Sequence, residues 1–432
     1  MQVDPLAINT GVKAPQTDTI YAWYVLGMLV FAYTLHWIDR YLFIITMESI
    51  KQDLDISDTQ LGLLSGLAFS LVYSISGMFL ARFSDLGSRR LIIACGVGLW
   101  SIMTAACGLA HSFWHLFIAR FGVGIGESSS SPPAHSLISD YFTQKKRATA
   151  LAIYGLGLYF GLSTGLSVGG WLNEYYGWRI AFFAAGIPGV FFALLFSLTV
   201  REPLRGHADH GNIDANHYSV KEVTRFMLKK RSFVAYVLGS GIFVFGGNSI
   251  DSWAAVFLMR VHGMGSAEVG AKIGAIGGIA GIVGTMVFAV IADRLSTRDL
   301  RWYLWVSAIG GTLCVPASLL FLFTDGDMMF VYYFIGIMFG ASYMAPTFAI
   351  TQRIMPLRMR AVSSAVILLS YNLVGMAAGN FTTGLLSDLL APVYHEESIR
   401  YALALATMVA LIGFGLTIYG ANHLKRDFPD LR

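Results

Sequence analysis

The chain has 432 residues, 55% of them hydrophobic and 13% charged, with 46 glycines and a formal net charge of +4. Soluble proteins carry about 25% charged residues, so a soluble domain of this length could not cover so much apolar surface, and the natural solvent for most of the chain is lipid. The small positive balance does not point to nucleic acid, because the basic residues gather at the ends of hydrophobic runs.

The opening MQVDPLAINTGVKAPQTDT is polar and lacks the basic region and short apolar core of a signal peptide. A bilayer crossing takes about 20 apolar residues. Twelve candidates follow: 20–47, 58–83, 89–110, 113–141, 146–173, 177–200, 232–261, 266–293, 301–323, 328–354, 359–389 and 399–422. They read as helices, since a barrel would show short alternating segments. The predicted fold is an all-α integral membrane protein with twelve transmembrane helices in two pseudo-symmetric six-helix bundles. Residues 1–19 and 423–432 form tails, 20–200 and 232–422 the bundles, and 201–231 a linker. With both termini cytoplasmic, 23 of the 30 Lys and Arg residues fall inside. Lys51, Arg179, Arg260, Lys272 and Arg400 fall outside, and Arg40 and Arg120 lie within spans. This is a positive-inside pattern.

Span one, IYAWYVLGMLVFAYTLHWIDRYLFIITM, holds only two full charges, Asp39 and Arg40. A charge at the bilayer centre costs about 2.5–3.5 kcal/mol on insertion scales and is tolerated when paired or facing water. Adjacent helical positions point about 100° apart, so one of the two looks into a central cavity and the other toward a neighbouring helix. His36 shares a face with Arg40 and reads first as a packing histidine. In span four, Arg120 and Glu127 share a face about 10.5 Å apart along the axis, too far to pair directly. The simplest arrangement is a four-membered network of Asp39, Arg40, Arg120 and Glu127. Moving an arginine by a few ångströms would change how firmly each carboxylate holds a proton. Asp39 and Glu127 are therefore the candidate proton-coupling acids, with Arg40 and Arg120 as counter-ions or binders of an anionic headgroup.

Pro132 and Pro133 in span four and Pro346 in span ten should bend or break their helices. The glycines of GLGLYFGLSTGLSVGG and GAKIGAIGGIAGIVG permit close helix approach. GLSTG matches a hydrolase elbow in letters only, because that elbow needs a strand-to-helix turn. No nucleophile–base or metal constellation suggests an enzyme. Cys95, Cys107 and Cys314 fall in apolar segments without CxxC spacing, and no cofactor is implied. The polar break REPLRGHADHGNIDANHYSVKEVTRFMLKKR reads as a linker along the membrane surface, with a basic, amphipathic later part.

The halves repeat. RATALAIY from Arg147 matches RAVSSAVI from Arg360 at an offset of 213, as Pro133 matches Pro346. WIDRY around Asp39 aligns with SIDSW around Asp251 at 212. Parallel repeats of this kind imply a pseudo-two-fold axis along the membrane normal, with a site between halves near the midplane. The repeat fails where charge is buried: Arg120 maps to Tyr333, Glu127 to Gly340 and Arg40 to Ser252, while Asp39 keeps its carboxylate as Asp251. One half would carry ion chemistry and the other mainly shape the cavity, with His36, Asn248, Asp251, Tyr333, Tyr371 and Asn372 as secondary cavity candidates.

GMFLARFSDLGSRR, between spans two and three, resembles the G-x-x-x-D-R-x-G-R-K signature of the major facilitator superfamily, with Ala81 and Leu86 departing from it. AVIADRLSTR is its second-half copy. The resemblance implies that Asp85, Arg89, Arg90, Asp293, Arg294 and Arg298 help close a cytoplasmic gate. Within the superfamily, WIDRY, ARFGVGIGESSSSPPAHSLISDYF and PTFAITQRIMPLRMRAVSSAVILLSYNLVG resemble the Spinster group. That group is linked to lysophospholipid and sphingosine-phosphate export, with proton-coupled bacterial relatives. The expected function is proton-coupled transport of an amphipathic lipid by alternating access; the alternative is symport of a small organic anion. The implied setting is a bacterial inner membrane, with protons and bilayer as partners and a monomer as the working unit.

Overall fold

The computed structural model describes residues 17–203, 220–356 and 359–429, without the side chains of 78, 81, 82, 84–86, 220, 221 and 361. Among the described residues every long element is helical and no strand occurs. Ten stretches are long and apolar enough to cross a membrane, and the last, Val362–Asp427, holds two crossings. The fourth span is not among them, because Arg120, Glu127 and a run of serines dilute its hydropathy.

The twelve spans are α1 (Ile20–Leu54), α2 (58–86), α3 (Arg89–Cys107), α4 (Phe113–Glu127 and Ser131–Tyr141), α5 (Gln144–Tyr176) and α6 (Trp178–Thr199), then α7 (Arg231–His262), α8 (Ser266–Ser296), α9 (Trp302–Phe323), α10 (Met328–Gly340 and Met344–Ile354), α11 (360–394) and α12 (Ser398–Asp427). Between the halves, a short helix Val220–Leu228 buries Val223 and Met227 against Phe233 and Tyr236, so this part of the linker docks on the second half. The rest of the linker, 204–219, and most of the N-terminal tail lie outside the described residues.

The prolines act as their position requires. α4 breaks at 128–130 and resumes at Ser131, with proline in the first helical positions, where the missing N–H has no intrahelical partner to lose. α10 breaks equivalently at 341–343, ahead of Pro346. α2 and α11 carry something the repeat did not announce: π-helical turns at Leu63–Leu67 and Tyr371–Ala377, facing each other across the halves.

The packing divides unequally between the two faces of the bundle. Toward the face bearing the termini, one buried apolar cluster belongs to the first half (Ala22, Val97, Leu137, Phe196) and a separate one to the second (Tyr236, Phe288, Ile350, Leu424). Toward the opposite face a single cluster runs through both halves, from Phe43 and Leu61 to Trp253, Phe257 and Phe321. Two seams carry this closure, α5 on α8 and α2 on α11. At the first, a Cβ on Gly270 would sit 2.1 Å from the Leu166 carbonyl oxygen, a backbone atom that can yield only if the whole helix moves. Gly161 of α5 lies against Trp37 and the Thr34 carbonyl on α1 in the same way. Large apolar side chains such as Phe79, Ile118, Phe191 and Met286 point outward, where a lipid-embedded bundle presents them to acyl chains.

Gly270→Val should therefore loosen the α5–α8 seam. Cysteines introduced as Asn173→Cys and Ser266→Cys, positions whose side chains are hydrogen-bonded at 3.0 Å, are expected to cross-link readily in the parent and several-fold less with Gly270→Val. Equal cross-linking would show that the seam does not need the glycine.

Candidate functional site

α1 aims Asp39 and Arg40 at two different partners on α4. Asp39 Oδ2 takes the Arg120 Nη1 at 2.8 Å, and its Oδ1 accepts the Thr104 hydroxyl of α3 at 2.5 Å. One position on, Arg40 Nε donates to Glu127 Oε2 at 3.1 Å, and His36 Nδ1 lies 3.3 Å from the same oxygen. Two turns of α4 thus match the divergence of two consecutive positions on α1. All are deeply buried: Asp39 and Arg120 are 2% exposed, Glu127 0% and Arg40 9%. The Phe69 ring of α2 separates the pairs, with the Arg40 guanidinium 4.3 Å and the Arg120 guanidinium 5.2 Å from its centroid. Trp37 and Tyr73 cover Arg40 further, and Phe43 covers Arg120. Cation–π contact of this kind stabilises a desolvated guanidinium. Both arginines are engaged inside the first half, Arg120 through Nη1 with Asp39 and Arg40 through its Nε alone with Glu127.

The satisfaction is uneven. Asp39 has a donor on each oxygen, whereas Glu127 Oε1 and Arg120 Nε are buried without a hydrogen-bond partner among the described residues. His36 is part of this site as well as of its packing, stacked with Tyr33 at 5.7 Å.

Among the described residues the second half contributes no equivalent pairs. Asp251 of α7 accepts a hydrogen bond from the Tyr41 hydroxyl of α1 at 2.9 Å, a link between halves near mid-span. Asn248, one turn away, donates to Asn380 Oδ1 at 2.8 Å and Ser252 Oγ at 3.2 Å. Tyr333 is buried against Phe321. Tyr371 packs edge-on to Tyr343, and Asn372 follows it, half-buried, in the π-turn of α11. These six secondary candidates are thus spread over α1, α7, α10 and α11 and do not form one cluster of contacts.

At the termini-bearing face the gate candidates among the described residues keep to their own halves. Arg89 binds Asp140, Ser136 and Glu202, and the Arg90 backbone N–H also reaches Glu202. Burial pushes the Glu202 carboxyl up, but the Arg90 N–H and the Arg89 guanidinium outweigh it and hold Glu202 below the usual range. Asp293 accepts from the Tyr303 hydroxyl, Arg294 and Arg298 are exposed, and the Asp85 side chain lies outside the described residues.

The hydrogen bonds and ion pairs that do cross between halves, among the described residues, run from mid-span to the opposite face. Their strongest cluster was not anticipated. Arg260 of α7 grips Asp58 at 2.7 and 2.9 Å and Glu48 at 2.7 Å, and Lys51 joins Asp58 at 2.6 Å. Asp388 of α11 caps the start of α2 from the other half, accepting the backbone N–H groups of Asp58 and Thr59 and the Thr59 hydroxyl. The available signal was Arg260, the arginine at the far end of α7, facing acidic ends of α1 and α2.

Removing one member of a buried ion pair costs about 3–5 kcal/mol, because the other charge is stranded. Arg120→Met should accordingly lower the thermal unfolding midpoint sharply, with most of the loss recovered in Arg120→Met/Asp39→Asn; a single variant that melts like the parent would contradict the pairing. Arg260→Ala should release the opposite face. In detergent, Ser266→Cys is expected to react with a bulky thiol reagent several-fold faster when Arg260→Ala is added, and an unchanged rate would mean the cluster holds nothing shut.

Comparison with known proteins agrees with this geometry. The family model for the Major Facilitator Superfamily matches residues 29–380. An MFS-type efflux pump of Mycolicibacterium smegmatis is 33% identical over 409 residues, covering 94% of each chain. The mouse protein named sphingosine-1-phosphate transporter SPNS2 is 26% identical, over 88% of this chain and 73% of its own length. A crystal structure of a bacterial homolog to the human lysosomal transporter Spinster, in an inward-facing and unoccupied conformation, superposes with a TM-score of 0.86 at 29% identity, covering 96% of this chain and 99% of that one. With twelve helices in two like halves and its charge buried in one of them, the chain belongs to the Major Facilitator Superfamily and, within it, is a Spinster-like transporter.

Proposed function

We propose that this transporter uses a proton gradient to move an amphipathic lipid by alternating access, with Glu127 and Asp39 as its coupling acids. The observation that carries the proton-coupling reading is the unequal satisfaction of the two carboxylates. Glu127 is fully buried, gives one oxygen to Arg40 with His36 Nδ1 3.3 Å from it, and leaves the other without a donor among the described residues. A buried oxygen in that condition is the position a proton fills at least cost, turning an unmet acceptor into a hydroxyl. Asp39, held by Arg120 and Thr104, is the acid whose donors must move before its balance changes. If Arg40 or Arg120 shifts when the halves rock, the proton's preferred seat changes, and proton movement becomes tied to conformation.

The charge bias of the loops supports cytoplasmic termini in a bacterial inner membrane. The clustered closure at the opposite face is then external, and this state is inward-facing. The names of relatives support the cargo and its direction: one is a sphingosine-1-phosphate transporter and another an efflux pump. Export of lipid against entry of protons is the reading that fits both. Each chain holds both halves of the site, which supports a monomer as the working unit.

The test is flux in proteoliposomes with and without a pH gradient, using lysolipids and, separately, small carboxylates. Asp39→Asn and Glu127→Gln are each expected to remove gradient-dependent lysolipid movement while the proteins stay monodisperse. PH dependence surviving in both variants would end the coupling scheme, and saturable carboxylate uptake with no lysolipid response would replace the lipid with an organic anion.

A further inference from the structure

Most of the carboxylates on the spans are matched with cations or with several donors among the described residues, and Asp251 is not. Asp39 has Arg120, Glu127 has Arg40, and Glu48 and Asp58 share Arg260. Asp251 has a single polar partner among the described residues, the neutral Tyr41 hydroxyl at 2.9 Å. Among the described residues no Lys, Arg or His reaches it from α1, α7 or α10; the groups that face it are Tyr41, Tyr333 and Tyr343, with Asn248 and Ser252 beside it on its own helix. It is also more accessible than the two acids of the first-half network. Asp39 and Glu127 are sealed at 2% and 0%, while Asp251 is only partly buried and sits on the mid-span seam between halves.

A carboxylate in that setting lacks compensation, and an approaching cation would supply it. Its surroundings suit a nitrogen cation rather than a metal ion. Aromatic side chains stand around it, Tyr41 with Trp37 at 6.0 Å ring to ring and Tyr333 buried alongside, and no group of three or more metal-ligating side chains occurs among the described residues. Ammonium and quaternary ammonium groups are held by this combination of aromatic faces and one carboxylate. The two arginines of the first half are already paired with carboxylates there, Arg40 through its Nε alone.

We propose that Asp251 is the seat for a positively charged nitrogen on the substrate, so that the transported amphiphile is zwitterionic or cationic rather than simply anionic. This rests on the lipid-transport reading and narrows it. On arrival the substrate's nitrogen displaces the Tyr41 hydroxyl from Asp251. That exchange breaks a hydrogen bond joining α1 to α7, and with it one of the links that hold the halves together at mid-span.

The experiment measures binding to purified protein in detergent with three probes of matched chain length: lysophosphatidylcholine, lysophosphatidic acid and an alkyltrimethylammonium. Asp251→Asn should weaken the two nitrogen-bearing probes by roughly tenfold or more, the scale of a lost charge-assisted contact, and leave lysophosphatidic acid unchanged. Tyr41→Phe, which removes the competing donor, should move affinity for those probes the other way. A purely structural Tyr41–Asp251 bond would shift both variants in the same direction and would overturn the proposal, as would an unaltered lysophosphatidylcholine affinity in a folded Asp251→Asn protein. The two readings fail separately. Tight, Asp251-independent binding of lysophosphatidic acid leaves lipid transport standing and removes the cation seat. Asp251-dependent binding of alkyltrimethylammonium alone does the reverse.

Discussion

Two carboxylates and two guanidinium groups buried in one lipid-embedded half must neutralise one another, and much of the architecture follows from that requirement. An ionised group in hydrocarbon is tolerated when its partner is close and its remaining polar atoms are met. Here α1 supplies one charge of each sign in consecutive positions, and α4 supplies their complements two turns apart. The pairing locks α1 against α4, brings Thr104 of α3 in as a further donor, and wedges Phe69 of α2 between the cations. Four helices of the first half are thereby organised around one polar core that remains incompletely satisfied, at Glu127 Oε1 and Arg120 Nε. Such a core is firm enough to fold around and still has a place where a proton or a moved arginine changes its balance.

The second half answers with packing rather than charge. Its copy of the α1 dipeptide is Asp251–Ser252, and the copy of Arg120 is Tyr333. With the arginines missing, the retained acid turns to the other half and takes Tyr41 as its partner. The duplicated scaffold therefore carries two unlike chemistries at corresponding heights: an internally neutralised network on one side of the seam and a cation-deficient carboxylate on the other. A rocking motion about that seam changes the surroundings of both.

Closure at the face away from the termini is built from three kinds of contact that act together. Glycine lets α5 and α8 touch backbone to backbone, opposed π-turns of α2 and α11 meet, and Arg260 with Asp388 ties the ends of α1, α2, α7 and α11. The apolar core is continuous through both halves at that face and divides into two near the other. Opening must therefore give up a desolvated ion cluster as well as apolar contact, and partners that become available elsewhere in the alternative state have to compensate.

Much of this was legible in the chain itself. Twelve apolar runs, their loop charges and the half-to-half repeat determine a doubled helical bundle, because lipid permits few other structures and repeats of this length fold alike. The prolines foretold the breaks in α4 and α10, and rarity alone marked Asp39, Arg40, Arg120 and Glu127. Tertiary structure decided the rest. It set which arginine serves which carboxylate, that His36 lies beside Glu127, that Arg260 clamps the halves in this state, and that Asp251 is left without a cation among the described residues. Those outcomes depend on how helices distant in sequence are rotated and brought together, and helical periodicity reports which face a residue occupies without saying what that face will meet.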